Sequence, residues 1–256
     1  MENGDVDRTL SLLWRRTLGV PQGSRGPKQR FSVDEVIQAG IAVADEEGLP
    51  AFSMRKVADR LGLKLMSIYT YVPSRDELIG LMVDEVMGEP ELPPHEGGWR
   101  ERLTVVARQM WDEFHRHPWL LQVEQARPWI GPNGSDRYEW QLAAIDGAGF
   151  TDVEMDLVIT LISDFTAASA RADVAARRTA EQSGMTDADW WAVNAPVLDR
   201  LMPPGAYPIS GRVGTAAGEE YNAVRDSERS FRFGLDRIFD GLDQLLGSRR
   251  QPPPQA

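Results

Sequence analysis

The chain has 256 residues, of which 42% are hydrophobic and 26% are charged, a composition typical of an ordinary globular protein. No apolar run approaches the roughly 18 residues that a membrane-spanning helix requires, and the N-terminus lacks the pattern of a signal peptide. The absence of cysteine excludes disulfide bonds, thiolate metal sites and cysteine nucleophiles. We therefore expect a cytoplasmic protein without a membrane partner.

The charge of the chain is unevenly distributed. The formal net charge is −11, which on its own argues against a nucleic-acid partner because the phosphate backbone repels an acidic protein. Residues 25–75 nevertheless contain eight Lys and Arg against six Asp and Glu, so this segment is slightly basic and the chain beyond it is strongly acidic. Such an asymmetry indicates two parts of the chain with different tasks.

Residues 1–24 are predicted to be an extension that contains a short helix around residues 9–18. Clear helical signals begin at Ser32, which is positioned to form a capping box with Glu35. Apolar residues then recur at helical spacing until Gly48, where we expect this helix to end.

Two short helices follow, at residues 54–61 and 64–72, with a turn at Gly62 between them. Ser53 is a suitable N-cap for the first of them, and Pro73 prevents the second from continuing. Helices of these lengths joined by a glycine turn are typical of a helix-turn-helix.

A second capping box, Ser74 with Glu77, begins a fourth helix. Beyond it the pattern stays helical, and the predicted helices cover residues 99–116, 118–130, 135–147, 152–180, 186–201 and 220–246. A mobile loop is predicted for residues 202–218, which are rich in proline and glycine. No segment shows convincing strand periodicity, so the sequence predicts an all-α protein. Its predicted parts are the extension at 1–24, a helix-turn-helix domain at 25–88, a helical-bundle domain at 89–248 and a disordered tail at 249–256.

The second short helix has an inner and an outer side. At 100° per residue, Ile68 and Val72 fall on the inner side. The outward and flanking residues carry hydroxyl, apolar or basic groups and are Lys64, Met66, Ser67, Tyr69, Thr70 and Tyr71. Hydroxyls suit DNA because they bond to phosphates and base edges without adding negative charge. Arg55 lies near the positive end of the preceding helix, and the basic arm at 25–30 fits backbone or minor-groove contact. Helix pairs of this kind also occur without any DNA-binding role.

The stretch F-S-M-R-K-V-A-D-R-L-G-L-K-L-M-S-I-Y-T-Y-V-P-S-R-D-E-L, residues 52–78, resembles the DNA-binding domain of TetR-family transcriptional regulators, and the match extends over residues 31–87. The resemblance implies a homodimer in which each subunit places its third helix in the major groove of a palindromic operator. It implies base contacts for Leu65, Met66, Ser67, Thr70 and Tyr71 and phosphate contacts for Arg55, Tyr69 and Arg75. The full set of expected DNA contacts adds Lys28, Arg30 and Lys64.

The stretch F-R-F-G-L-D-R-I-F-D-G-L-D-Q, residues 231–244, resembles the C-terminal region of the tetracycline repressor branch of this family. Its apolar side chains follow helical spacing and must be buried against another surface. Two readings stay open, because the stripe fits either an intrachain core or a dimer interface shared with the helix at 152–180. The resemblance favours a dimer interface formed by Phe231, Leu235, Ile238, Phe239 and Leu242.

Aromatic residues concentrate where this family forms its effector cavity. The resemblance implies a pocket lined by Trp111, Phe114, His115, Trp119, Gln122, Trp140 and Phe165, although aromatic residues at helical spacing also form ordinary cores. Gln122 aligns with the histidine through which the tetracycline repressor binds the magnesium–tetracycline chelate. Since a neutral amide is a poor substitute for imidazole, we expect no metal, no cofactor and an effector other than tetracycline. His115 and His117 point to different sides of a helix, which argues against a metal site.

Three classes of function fit a chain of this kind. An enzyme is disfavoured because the sequence has three histidines, no cysteine, no nucleophile elbow and no phosphate-binding glycine loop. A helical interaction protein, or an activator of the same fold, is the alternative to a repressor. We favour a homodimeric repressor that leaves a double-stranded DNA operator when a small-molecule effector moves the helix at 74–87. Its two recognition helices must lie about 34–36 Å apart to enter successive major grooves.

Overall fold

The structure, a computed structural model, describes residues 3–18, 30–123, 129–203, 205–221, 223 and 225–250. These residues form twelve α-helices and no β-strand, which confirms the predicted all-α class. The helices are α1 (Asn3–Leu13), α2 (Arg15–Leu18), α3 (Val33–Glu47), α4 (Met54–Arg60), α5 (Leu65–Ile68), α6 (Arg75–Met87), α7 (Trp99–Arg116), α8 (Pro132–Ala143), α9 (Asp152–Ser183), α10 (Asp187–Leu201), α11 (Pro208–Tyr221) and α12 (Ser227–Arg250). Two 3₁₀ turns cover Leu49–Ala51 and Pro118–Gln122. Within the described ranges no helix is long and apolar enough to cross a membrane.

The chain divides into two compact units, Met1–Leu161 and Ile162–Ala256. The division falls inside α9, well beyond residue 88, where the sequence predicts the end of the DNA-binding domain. Helices α1 to α8 therefore all lie in the first unit. The predicted functional boundaries stay predictions, because compactness alone does not define which part of a chain binds a partner.

Local hydrogen bonds set the starts of three helices where the sequence predicts them. The Ser32 hydroxyl accepts the Glu35 N–H at 3.1 Å, and the Glu35 carboxylate accepts the Ser32 N–H at 2.7 Å, a complete capping box. The Ser53 side chain caps α4. Ser74 caps α6 by accepting the Glu77 N–H at 3.1 Å. These caps fix the first residues of α3, α4 and α6 through local contacts alone.

A continuous apolar core joins α3, α4, α5 and α6. Its fully buried side chains, each 0% exposed, are Val36, Ile37, Val57, Ala58, Ile68, Val72, Leu78, Met82 and Val86. Gly40 allows α3 and α6 to approach closely, since a Cβ there would lie 2.8 Å from the Met82 sulfur. The core fixes α5 on one side and α6 on the other, so these two helices share one rigid support.

The helical part of the N-terminal segment is longer than the sequence predicts, and it packs against the core. Helix α1 begins at Asn3, ahead of the predicted helix at 9–18. Leu13 is 2% exposed and belongs to the core described above. The Thr9 hydroxyl donates to the Glu77 carboxylate at 2.8 Å. The segment is therefore part of the folded first unit.

Two arginines tie α2 to the ends of two neighbouring helices. Arg15 and Arg16 each form ion pairs with Asp34, near the start of α3, and with Glu85, near the end of α6. Partial burial opposes ionisation of Asp34, but the hydrogen bonds and charges of the two arginines outweigh it and lower the pKa of that carboxyl. The extension thus reinforces the packing of α3 against α6.

Two predicted helices are shorter in the structure. The segment at 118–130 forms a 3₁₀ turn that ends at Gln122, and residues 124–128 lie outside the described part of the chain. The segment at 64–72 is regular only in α5 and continues as turns, because the chain must leave helical geometry before Pro73.

The prediction of a mobile loop at 202–218 is wrong for most of that segment. Helix α11 begins at Pro208, and a proline in the first turn costs no hydrogen bond because those amides have no intrahelical acceptor. Its glycines Gly211, Gly214 and Gly218 sit in open space. None of the described side chains of α11 is buried. The last helix begins at Ser227 instead of residue 220.

The second unit is organised by packing between α9 and α12. The Phe165 ring of α9 stacks on the Phe231 ring of α12 with centroids 5.9 Å apart. Gly234 makes room for this contact, since a Cβ there would lie 2.2 Å from the Phe165 ring. The buried side of α12 consists of Phe231, Leu235, Phe239, Leu242 and Leu246. The second unit therefore has an apolar core of its own.

We expect Leu13→Ala to destabilise the protein more than Leu10→Ala does. Leu13 is 2% exposed, whereas Leu10 is 40% exposed. Truncating a buried leucine typically costs about 2–5 kcal/mol, and a surface substitution usually changes stability by less than about 0.5 kcal/mol. Chemical denaturation measures both free energies of unfolding. Equal values for the two variants would show that α1 does not belong to the folded core.

Candidate nucleic-acid interface and effector domain

The turn between α4 and α5 depends on Gly62. Its φ of 64° lies in the left-handed region, where an L side chain is strained. The Leu63 N–H reaches back to the Ala58 carbonyl at 2.8 Å and closes the end of α4. Lys64 follows as the N-cap of α5. The two helices form the predicted helix-turn-helix.

Helix α5 and the turn after it expose most of the side chains that the sequence predicts to face DNA. The exposed residues are Lys64, Met66, Tyr69 and Thr70, and Leu65 and Ser67 are half-buried. The Met66 side chain is 74% exposed, whereas Ile68 is fully buried in the core. The Thr70 hydroxyl donates to the Ser67 carbonyl at 2.7 Å, which leaves its oxygen free to accept a further bond. Ile68 anchors one side of this segment in the core. The other side exposes side chains of which none is negatively charged.

Tyr71 does not lie with this exposed set. Its side chain is 6% exposed, and its hydroxyl accepts the Phe31 N–H at 3.4 Å. The prediction that Tyr71 faces outward toward bases is therefore wrong. The regular helix ends at Ile68, so a spacing of 100° per residue no longer sets the direction of the side chain three residues later.

Arg75 is engaged by the protein itself. Its Nη2 donates to the Leu49 carbonyl at 3.1 Å, and its guanidinium lies 5.6 Å from the centroid of the Phe52 ring. The side chain stays 42% exposed. Arg75 ties the start of α6 to the segment before α4, and this structural task competes with the predicted phosphate contact.

Two basic residues near α5 are neutralised by acids of α3. Lys56 pairs with Glu47, and Arg60 pairs with Glu46 through two hydrogen bonds of 2.7 and 2.8 Å. The hydrogen bonds from Arg60 lower the pKa of Glu46. These pairs join α3 to α4 and remove two positive charges from those available to a polyanion.

Other cations remain available. Arg55 and Lys64 are exposed and form no ion pair with any residue that the structure describes. Arg30 is also exposed, and its guanidinium lies 5.3 Å from the centroid of the Phe31 ring. Lys28, the other predicted basic contact, lies outside the described residues. These available positive charges therefore lie at the start of α4, at the start of α5 and ahead of α3.

Three of the predicted effector residues share one stretch of α7. Trp111 is 4% exposed, and its ring centroid lies 4.6 Å from that of His115. The His115 Nδ1 lies 2.7 Å from the Trp111 carbonyl oxygen. Phe114 is half-buried on the same helix.

Trp119 and Gln122 pack against the helix-turn-helix region formed by α3 to α6, and not in an effector pocket. Trp119 is 1% exposed within the core of that region, and its Nε1 donates to the Asp45 carboxylate at 2.9 Å. The Gln122 Oε1 accepts the Leu49 N–H at 3.0 Å. The prediction of a pocket role for both residues is corrected by these contacts. The early end of the predicted helix at residue 122 is the physical reason, since it turns both side chains toward α3 and the turn that follows it.

The remaining two predicted pocket residues pack elsewhere. Trp140 donates from Nε1 to the Pro93 carbonyl at 2.8 Å and stacks on the His95 ring at 4.8 Å. It thereby anchors the turn-rich segment before α7. Phe165 lies in the second unit against Phe231, where it forms part of that unit's core.

A buried ion pair that no sequence pattern predicts joins α7 and α8. The Arg137 Nη1 lies 3.1 Å from the Glu113 carboxylate, and the two residues are 4% and 7% exposed. Burial raises the pKa of Glu113, against the opposing effect of the Arg137 charge. No local signal distinguishes this pair from the many charges on solvated helix faces.

His117 forms a second unpredicted polar contact at the end of α7. It is 5% exposed, with Nδ1 2.9 Å from the Asp45 carboxylate and Nε2 3.0 Å from the Glu89 carboxylate. Among the described residues, no group of three or more His, Asp or Glu side chains is arranged to hold a metal ion.

The predicted dimer residues occupy the buried side of α12. Phe231, Leu235, Phe239 and Leu242 are 1–9% exposed in the single chain. They pack into the core of the second unit and cannot offer a free surface to a partner, so the prediction of a dimer interface is wrong for these four. The intrachain alternative is correct for them. Ile238 is half-buried beside the stripe.

Other large apolar side chains of the second unit are exposed. On α12, Phe233 is 62% exposed and Leu245 is 37% exposed. On α10, Trp190 and Trp191 are 43% and 47% exposed, and their rings stack with centroids 5.8 Å apart. These side chains and further exposed ones on α10 and α11, and not the buried stripe, form the apolar surface of this unit.

Comparison with known proteins gives consistent matches. The family described as tetracyclin repressor-like, C-terminal domain, matches residues 89–246. The HTH-type transcriptional repressor DrrR1 of Streptomyces coeruleorubidus is 39% identical over 254 residues, which cover 97% of this chain and 89% of that protein. The solved structure of the TetR family protein ActR of Streptomyces coelicolor in complex with actinorhodin is 29% identical, with a TM-score of 0.67 over 83% of this chain and 95% of that chain.

Apo ActR from the same organism is 28% identical, with a TM-score of 0.67 over 87% of this chain and the whole of that chain. These matches confirm the resemblance carried by residues 31–87 and extend it through the C-terminal region. The chain belongs to the TetR family of DNA-binding transcriptional regulators.

Proposed function

We propose that the chain is a homodimeric repressor that binds a palindromic operator and leaves it when a small-molecule effector binds. The exposed face of α5 and its following turn, held by the buried Ile68, is the observation that carries this function. The similarity to the repressor DrrR1 supports repression, and the actinorhodin complex of ActR supports control by a small molecule. We place the protein in the cytoplasm, in the same compartment as its operator.

We assign base reading to Met66, Ser67 and Thr70. A hydroxyl donates or accepts at a base edge, and the Met66 side chain, 74% exposed, offers an apolar contact for a thymine methyl group. Arg55 and Lys64 are assigned to phosphates, because an exposed cation without an ion pair loses no partner when it binds the backbone. Tyr71 and Arg75 are left out of the recognition set because the protein uses them internally.

Thr70→Ala should weaken operator binding, and Tyr71→Phe should leave it unchanged. Loss of one hydrogen bond typically costs about 0.5–1.5 kcal/mol, or roughly a 2- to 10-fold rise in Kd. Tyr71→Phe removes only a hydroxyl that faces the Phe31 N–H inside the protein. Gel shifts with an operator selected from random DNA measure both affinities. A larger loss for Tyr71→Phe than for Thr70→Ala would contradict the assignment.

We assign the dimer surface to a flank of α12 formed by Ile238, Gly241 and Leu245. These residues recur at i, i+3 and i+7, so they share one side of the helix, next to its buried stripe. Apart from its chain neighbours and the backbone of its own helix, no described atom lies within 4 Å of the position that a Cβ of Gly241 would take, so the surface there is open. A glycine at such a place lets a second helix approach closely.

Gly241→Arg should give a monomer, and Gly247→Arg on another face of the same helix should stay a dimer. Both glycines have open space around them, so neither arginine clashes within the protomer, and arginine favours the helix more than glycine does. Light scattering distinguishes the 28.6 kDa chain from its dimer. A dimer in both variants would move the interface away from this flank, and a monomeric wild-type protein would reject the proposed function.

Actinorhodin should release the wild-type protein from its operator, and tetracycline with magnesium should not. We propose an aromatic effector of the kind that ActR binds, whereas Gln122 offers an amide already bonded to the Leu49 N–H in place of a metal-binding imidazole. Fluorescence anisotropy of labelled operator measures release by each compound. Retention of the operator at saturating actinorhodin would exclude that effector class, and release by the magnesium chelate would contradict the reading of Gln122.

A further inference from the structure

We propose that Asp84 and Arg137 are positioning residues, through which α8 holds α6. They thereby fix the position of α3, α4 and α5, which we call the DNA-reading region. The inference rests on the proposed function, since it concerns how a change in the effector domain reaches α5. Helices α6 and α8 cap one another: a side chain of α6 satisfies the start of α8, and a side chain of α8 satisfies the end of α6.

Asp84 supplies the N-terminal cap that α8 lacks. The residue at the N-cap position of α8 is Gly131, which has no side chain to accept the free amides of the first turn. The Asp84 carboxylate takes that role from α6, accepting the Gly134 N–H at 2.9 Å and the Asn133 side-chain amide at 3.3 Å. Asp84 is 5% exposed. A Cβ at position 131 would lie 2.1 Å from the Asp84 carboxylate. Asp84 can therefore cap α8 only because residue 131 is a glycine.

Arg137 supplies a hydrogen-bond partner for the last carbonyl of α6. The carbonyl of Met87, the last residue of α6, accepts no N–H from its own helix. The Arg137 Nη2 donates to this carbonyl at 3.1 Å, and Nη1 bonds to the Glu113 carboxylate of α7 at 3.1 Å. Because Arg137 is 4% exposed, water cannot readily replace either partner. One guanidinium in the middle of α8 therefore connects this helix to the ends of α6 and α7.

Close backbone contact surrounds the two caps. A Cβ at Gly80 would lie 2.5 Å from the Trp129 ring, and a Cβ at Gly88 would lie 2.6 Å from the Asn133 side chain. Gly80, Asp84 and Gly88 are four residues apart and share one face of α6. Two glycines and one capping carboxylate thus allow α8 and the residue Trp129 before it to approach this face of α6 closely.

The opposite face of α6 lies in the core of the helix-turn-helix region. Leu78, Met82 and Val86 are fully buried there, in the same core as Ile68 of α5. A movement of α8 therefore cannot be absorbed at α6 without breaking either the caps or the core. The two capping hydrogen bonds fix the position of α8 relative to α6, whereas an apolar contact of the same area would let the two helices shift along each other.

The experiment measures the separation of the two DNA-reading regions in the homodimer. The chain contains no cysteine, so Asp59→Cys on the exposed side of α4 gives one spin label per subunit and one inter-subunit distance. We expect Asp84→Ala and Arg137→Ala each to broaden this distance distribution about twofold, because loss of a cap lets α6 populate more than one position. Circular dichroism confirms that the variants remain helical.

Glu139→Gln is the matched control, since it removes one charge from an exposed position of α8 and should leave the distribution narrow. If alanine at either site prevents folding, Arg137→Lys takes its place: lysine keeps a charge beside Glu113 but cannot also reach the Met87 carbonyl, so broadening is still expected. An unchanged distribution in the folded alanine variants, or in Arg137→Lys, overturns the inference.

Absence of any dipolar coupling in the parent protein would contradict the homodimer and hence the proposed function. In that case a second label at Asp136→Cys on α8 reports the distance to α4 within one chain, on which the same broadening is expected. A narrow intrachain distance in Arg137→Lys would then refute the inference independently.

Discussion

Helix α6 is buried on two sides, and the organisation of the first unit depends on this double burial. Toward the DNA-reading region, Leu78 and Met82 are fully buried among apolar side chains. Toward α8, the buried group is the carboxylate of Asp84, whose pKa is raised by burial, although hydrogen bonds from residues 133 and 134 oppose the rise. A buried carboxylate is costly unless its oxygens are satisfied, so only an arrangement close to the observed one is stable. The polar side of α6 therefore specifies a position that the apolar side alone would not.

An acidic protein can still bind DNA because charges act over a short range in salt. The Debye length is about 10 Å at 0.1 M ionic strength, so exposed acids on distant helices contribute little to the field at α5. Near α5, Glu46 and Glu47 are already paired with Arg60 and Lys56. In the proposed mode of binding, the phosphate backbone of DNA meets the local charge around Arg55 and Lys64. Because salt screens charges over this distance, the slightly basic segment at 25–75 can attract DNA although the rest of the chain is acidic.

The features predicted correctly from the sequence are those that depend on a few neighbouring residues. The capping box at Ser32, the turn at Gly62 and the start of α6 at Ser74 each follow from local hydrogen bonds or backbone sterics, and each is present. The inward direction of Ile68 is likewise fixed by one turn of helix.

The features missed depend on residues far apart in the chain. Tyr71 is buried because the Phe31 N–H lies beside it, forty residues away, and Trp119 is drawn into a core by Asp45. The pair formed by Glu113 and Arg137 looks like ordinary surface charge until α7 and α8 are brought together. Periodicity identified the apolar stripe of α12 but could not decide between a core and a partner, since both remove the same side chains from water.

Polar contacts between helices fix their relative position more narrowly than apolar contacts do. An apolar side chain is satisfied by many neighbours of suitable size, so an apolar interface permits small shifts at little cost. A hydrogen bond from Arg137 to the Met87 carbonyl is lost when its distance or angle departs from a narrow range. Buried caps of this kind have only two states, made or broken, and the loss of one leaves a buried group without a partner. A regulator that must either hold or release its operator gains from joints of this kind, because a small displacement in one helix then becomes a discrete change in the next.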